Sequence, residues 1–195
     1  MRHLMILRHA KTERDSPSGH DRDRRLTERG REDAPTLGRY IAANRIVPQC
    51  VLVSPATRAR ETWELLKDEL PKQPRHEMVE QLYGADTAEL LHIVRAAQQL
   101  AGAGAADRLM IVGHNPGLHE FALALTWSGD GKSTKVSSTK DSSTKDSASH
   151  RALADNLPTS GLAMISFAID DWADVSFGRG RLERLVSPAL LREES

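Results

Sequence analysis

Three short aliphatic runs constrain this chain more than any other feature. Residues 4–7 (Leu-Met-Ile-Leu), 51–53 (Val-Leu-Val) and 109–112 (Leu-Met-Ile-Val) each give way to a segment of helical period. Short apolar strands alternating with helices are the pattern of an α/β fold with a largely parallel sheet. Strands are therefore expected at 3–7, 51–53, 76–79 and 109–112. Helices are expected at 27–44 with Thr27 as N-cap, and at 54–70 with Ser54 as N-cap and Pro55 in the first helical position. Pro35 should kink the first of these or delay its start. Asp86 and Glu89 read as a capping box for a helix to about residue 100, and Asn115-Pro116 restarts a helix to about 127. Two late strands, 162–169 and 182–186, read as hairpin-like across Asp170-Asp171.

A chain of 195 residues is expected to form one domain, 1–195. A low-complexity surface insertion is expected at about 129–150. Within it, residues 133–147 read STKVS-STKDS-STKDS with Val136 as the only apolar side chain, a composition that cannot be buried and should form a mobile loop. Cys50 stands alone, which excludes an internal disulfide and a cysteine-rich zinc module. Lys+Arg 27 balance Asp+Glu 27, which argues against a generic nucleic-acid binder. No apolar run approaches the roughly 18–20 residues of a membrane span, and the opening run is too short and polar for a signal peptide. A cytoplasmic protein with neither nucleic acid nor membrane as partner is the expectation.

The charge is uneven. Residues 1–31 carry nine Lys or Arg against five acids. Such a stretch is either a solvated loop or an anion site, and the strand ends decide between them. Arg8-His9 closes the first strand, Ser54-Pro55-Ala56-Thr57-Arg58 follows the second, and Gly113-His114-Asn115-Pro116-Gly117 follows the strand at 109–112. In open α/β sheets ligands bind beyond the carboxyl ends of the strands. If those strands are parallel neighbours, two arginines and two histidines meet at one rim, close to helix N-termini that favour anions. A phosphoryl group fits such a pocket. Arginine forks bind its oxygens, a neutral imidazole attacks phosphorus, and a second imidazole held cationic among those oxygens stabilises the transition state. No carboxylate cluster invites a magnesium ion, so neither metal nor cofactor is expected. Blander readings stay open at this point: His114 as turn chemistry, and Arg58 as a helical partner of Glu61. Lys11 and Asn115 are candidate secondary contacts. Other phosphate chemistries fail. The chain has no GxxxxGK[ST], Cys50 has Ala56 rather than arginine six residues on, and Gly102-Ala103-Gly104 follows a helix instead of a strand.

Leu-Arg-His-Ala at 7–10 resembles the Arg-His-Gly signature of the histidine phosphatase superfamily, also called the phosphoglycerate mutase-like fold. Ala10 stands where glycine is usual, a change expected to crowd the loop slightly. Ser54-Pro55-x-x-Arg58-Ala59-x-x-Thr62 resembles the family's second motif, and Val112-Gly113-His114-Asn115-Pro116 the segment with its second histidine. The short length, Arg24-Arg25-Leu26-Thr27-Glu28-Arg29-Gly30 (with Arg25 for a usual proline) and Leu157-Pro158-Thr159-Ser160-Gly161 are similar to the SixA-like phosphohistidine phosphatase branch. The repeat at 133–147 has no counterpart there.

The resemblance implies a three-layer α/β/α fold with a mainly parallel central sheet. It implies His9 as the nucleophile, with Arg8, Arg58 and His114 completing the phosphate pocket, Arg24 at its edge and Asn115 close by. Larger members use an acidic proton donor, for which Glu80 is the nearest positional candidate. The expected activity is metal-independent removal of phosphate from protein phosphohistidine through a phosphohistidine intermediate. The alternatives are a small-molecule phosphomonoesterase acting on a sugar or nucleotide phosphate, and a regulatory module that binds phospho-ligands without turnover. The partner is accordingly a phosphorylated protein or a small phosphorylated metabolite.

Overall fold

A computed structural model describes residues 1–103, 106–127 and 143–193. Strands β1 (Arg2–Arg8), β2 (Cys50–Val53), β3 (Arg75–Met78) and β4 (Arg108–Gly113) run parallel. β5 (Leu162–Phe167) lies antiparallel to β1, and β6 (Arg181–Val186) antiparallel to β5. The sheet order is β3-β2-β4-β1-β5-β6.

The continuous apolar character of β1, β2 and β4 follows from burial on both faces. On one face Met5, Leu7, Val51, Val53, Met110 and Val112 meet Leu37 and Ile41 of α1 (Glu28–Ala43) and Trp63 and Leu66 of α2 (Thr57–Lys67). On the other, Leu4, Ile6, Leu52, Leu109 and Ile111 meet Leu90 and Ile93 of α3 (Thr87–Arg95) and Leu118, Phe121 and Leu125 of α5 (Gly117–Thr126). Three layers result, as expected. β3 closes one edge with its residues exposed and three of its four positions polar, Arg75, His76 and Glu77, which discourages pairing with another chain. Among the described residues no helix is long and apolar enough to cross a membrane.

Several boundaries depart from the sequence pattern. Thr27 does cap α1, accepting from the Gly30 amide, but the helix runs through Pro35 from Glu28 to Ala43 with no delayed start. α2 starts at Thr57 with Ala56 as its cap, and the Ser54 hydroxyl lies before it, pairing with His114 and accepting from the Ala56 amide at 3.5 Å. The Asp86–Glu89 capping box forms, yet the helix it opens ends at Arg95 and a separate α4 (Ala97–Ala101) follows. β5 and β6 are antiparallel, but residues 168–180 lie between them, including a 3₁₀ turn (Trp172–Asp174) with Trp172 fully buried. Most of the repeat lies outside the described residues. Residues 143–150 of the expected loop belong to α6 (Ser143–Asp155). α7 (Pro188–Glu193) closes the described chain.

One close approach sets the loop that leaves β1. The Lys11 carbonyl accepts from the Thr27 amide at 2.9 Å, which brings the start of α1 against that loop. A Cβ on Gly30 would lie 2.2 Å from the Lys11 oxygen. Alanine's helix preference over glycine, about 1 kcal/mol, is outweighed by an overlap against backbone. Gly30→Ala should therefore lower the unfolding free energy by about 1–3 kcal/mol in urea titration; an unchanged or raised value would show that the loop yields freely.

Candidate active site

The backbone holds the three motifs level. The His9 amide donates to the Gly113 carbonyl at 3.1 Å, the His9 carbonyl accepts from the Ser160 amide at 3.1 Å, and the Ser54 amide donates to the Val112 carbonyl at 2.9 Å. His9, Ser54 and His114 thus stand at the carboxyl ends of neighbouring strands β1, β2 and β4. The Thr62 hydroxyl accepts from the Ala10 amide at 2.9 Å and donates to the Arg58 carbonyl at 2.7 Å, tying the residue after His9 to α2. Ala10 is buried with Leu26 and Ala34, its methyl forming part of a small apolar cluster.

His9 is only 8% exposed. Its Nδ1 lies 2.7 Å from the Ala10 carbonyl oxygen. A carbonyl only accepts, so Nδ1 carries the proton and Nε2 keeps the lone pair. Burial pushes His9 down to about 4; the Ala10 hydrogen bond opposes this, and the positive charges of Arg58, Arg8 and Arg24 reinforce it. The His114 ring centroid is 5.2 Å away. Arg58 Nε donates to His114 Nδ1 at 3.2 Å, which leaves Nε2–H to donate to Ser54 Oγ at 2.7 Å. Burial, then His9 and Arg58, push His114 down to about 3. Both imidazoles are neutral at ordinary pH in the free site, so the cationic state expected of His114 requires a bound anion.

Arg8 Nη1 donates to the Leu157 carbonyl at 2.9 Å, while its buried Nε finds no partner among the described residues. Asn115 Nδ2 donates to the same carbonyl at 3.0 Å and to Asn156 Oδ1 at 3.3 Å. Asn115 therefore holds the 156–161 loop against Arg8. Arg24 reaches the edge as expected, donating from Nε to the Glu13 carbonyl at 2.8 Å, from Nη2 to Thr12 Oγ1 at 2.9 Å and from Nη1 to Asp21 Oδ1 at 2.9 Å. Arg58 does not pair with Glu61, whose carboxylate instead accepts from the Leu26 amide and Arg31. Glu80 is the candidate the structure sets apart. Arg22 Nη2 holds both of its oxygens, at 2.7 and 2.9 Å, on the exposed side of the 3₁₀ turn Glu80–Leu82. Among the described residues no group of three or more His, Cys, Asp or Glu is placed to hold a metal ion.

The sequence pattern did not single out Asp21, Tyr83, or Ser54 in its role beside His114. Asp21 receives Arg58 on both its carbonyl, at 2.7 Å, and Oδ2, at 2.9 Å. The Tyr83 hydroxyl donates to the same Oδ2 at 3.0 Å, and its ring stands edge-on to His114 with centroids 5.7 Å apart. Arg24, Tyr83 and Arg58 together hold Asp21 down to about 2, against a smaller opposing effect of burial.

The fold and this rim define a class, an α/β protein with two histidines and three arginines gathered at the carboxyl ends of its parallel strands. Residues 4–103 match the histidine phosphatase superfamily (branch 1), and the chain belongs to that superfamily. The matched span carries His9 and Arg58; His114 lies beyond it. An uncharacterised Mycobacterium tuberculosis protein is 31% identical over 174 residues, 88% of this chain and 93% of its own. A SixA structure from Agrobacterium tumefaciens superposes with a TM-score of 0.70 at 26% identity, covering 96% of this chain and 99% of that one. The protein histidine phosphatase SixA complexed with tungstate shares the fold with a TM-score of 0.68 at 19% identity, covering 97% and 99%. The chain is a phosphatase of the SixA-like branch.

The buried neutral imidazoles have a consequence for stability. In the unfolded chain both return to about 6.5. Between about 6.5 and about 4 the unfolded state takes up protons that the folded site refuses. Stability present at neutral pH is therefore lost as pH falls through that window, while Asp21 adds its own loss only below 3.8. The urea midpoint should fall between pH 7 and pH 4.5, and a His9→Gln/His114→Gln double variant should lose much of that dependence. A double variant with the wild-type slope would contradict the buried neutral pair.

Proposed function

We propose that the protein hydrolyses phosphohistidine on a partner protein through a covalent phosphate on His9. The observation that carries this reading is the His9 tautomer: Nδ1–H is spent on the Ala10 carbonyl, leaving an unprotonated Nε2 in a pocket with Arg8, Arg58 and His114. Nε2 attacks phosphorus as the bond to the leaving imidazole breaks. The substrate's ring, protonated on its other nitrogen, departs as neutral imidazole with the electron pair of the broken P–N bond. Water then cleaves the bond between phosphorus and His9, its two protons leaving on inorganic phosphate, and the neutral ring with Nδ1–H is restored. Arg8, Arg58 and Arg24 receive the phosphoryl oxygens. The negative charge brought beside His114 favours its protonated form, which stabilises the charge developing on those oxygens.

The commitment of the one acidic donor candidate, Glu80, to Arg22 favours phosphohistidine over an ester. A leaving imidazole has a pKa near 6.5 and departs with little help, whereas an alkoxide needs a proton in the transition state. Glu80 has both carboxylate oxygens on Arg22.

The test compares turnover of a phosphohistidine protein domain with that of a panel of sugar and nucleotide phosphates, all with EDTA present. The phosphohistidine domain should be preferred and the rate should survive the chelator. His9→Ala should lose at least about a thousandfold in turnover while still binding phosphate. Preference for one ester would instead support a small-molecule phosphomonoesterase with another acid donor. Binding without turnover would support a regulatory module, and near-normal hydrolysis by His9→Ala would overturn the mechanism.

A further inference from the structure

Arg58 is buried, and its guanidinium is engaged at all three nitrogens: Nε by His114, Nη1 by the Asp21 carbonyl and Nη2 by the Asp21 carboxylate. The second carboxylate oxygen of Asp21 accepts from Arg24 Nη1 at 2.9 Å, and Tyr83 donates a phenolic O–H to the first at 3.0 Å. A carboxylate that bridges two guanidiniums and accepts a hydroxyl offers those donors what a phosphoryl group would offer them. It does so on two of the arginines assigned above to the phosphate. The Asp21 side chain is 51% exposed and that of Arg58 7%, so solvent lies beside the carboxylate while the cation is enclosed. The neighbouring Arg22 has its own acid in Glu80.

We propose that Asp21 is a built-in anion that competes with the phosphoryl group for Arg58 and Arg24, and so sets how tightly the site holds phosphate. The inference rests on the phosphatase reading of the same site. Three arginines in a partly buried pocket would bind a phosphate dianion strongly and release it slowly. A resident carboxylate lowers that affinity twice, by occupying donors and by repelling the dianion. Three hydrogen bonds keep the Asp21 carboxylate ionised throughout the working pH range. A purely architectural role predicts the opposite sign, since losing the brace on Arg58 would weaken phosphate binding. Asp21→Asn separates the two readings because the backbone carbonyl that holds Arg58 Nη1 is unchanged.

The experiment is calorimetric binding of inorganic phosphate to the full chain at neutral pH, for wild type, Asp21→Asn and Arg58→Ala. Asp21→Asn should bind phosphate about tenfold more tightly, with KM falling in step and kcat not rising. Equal or weaker binding overturns the inference. Should Asp21→Asn fail to fold, Tyr83→Phe removes one hydrogen bond from the same carboxylate and should tighten phosphate about twofold; unchanged or weaker binding there overturns it equally. Wild type that binds no phosphate, with Arg58→Ala indistinguishable from it, would count against the phosphatase reading itself and remove the basis of this inference with it. Wild-type binding that Arg58→Ala abolishes and Asp21→Asn leaves unaltered would sink the inference alone.

Discussion

The parallel pairing of β4 with both β1 and β2 puts Arg8 level with Gly113 and Val53 level with Val112. One residue further along, His9, Ser54 and His114 reach the same rim, and the closeness of these three side chains follows from that register. A slip of one residue would turn each of these side chains to the opposite face of the sheet. Leu4, Ile6, Leu109 and Ile111 bury one face of these strands while Met5, Leu7, Met110 and Val112 bury the other, so the paired strands are clamped between two packed layers. The core and the geometry of the rim thus share one set of strands.

On that scaffold the electrostatics are arranged in layers. The innermost groups, His9 and His114, are neutral because burial and nearby arginines penalise a further positive charge. Around them Arg8, Arg58 and Arg24 supply charge that never titrates away at working pH. Asp21 and Tyr83 close the outer side. A hydrogen-bonded line from Ser54 through His114 and Arg58 to Asp21 therefore runs from the sheet to solvent, fixing one tautomer of His114 on the way.

Much of this was legible in the sequence because the informative signals are local. An aliphatic run ending in Arg8-His9, a Ser-Pro start to a helix bearing Arg58, and Gly-His-Asn-Pro-Gly after the strand at 109–112 each place a side chain relative to its own strand, and the sheet needs only parallel neighbours to bring them together. What escaped depends on distant partners. Ser54 reads as a helix cap until His114, sixty residues away, claims its hydroxyl. Asp21 and Tyr83 belong to irregular segments with no periodicity, and only the fold brings the 3₁₀ turn Asp21–Asp23 beside α2 and Tyr83. The one available hint was the alternation Asp21-Arg22-Asp23-Arg24, acids set within an arginine cluster that otherwise seeks an anion. The apparent hairpin across Asp170-Asp171 misled because Trp172, a buried anchor whose Nε1 donates to the Ala106 carbonyl at 2.9 Å, lies in the connection.

The central claim is a covalent phosphate on His9, and the direct measurement is to trap it. Rapid mixing with a phosphohistidine donor, quenching in alkali and mapping the phosphorylated peptide by mass spectrometry should find an alkali-stable, acid-labile phosphate on His9, with none in His9→Ala. A phosphate on another residue, or turnover with no phosphoenzyme at any mixing time, would contradict the account.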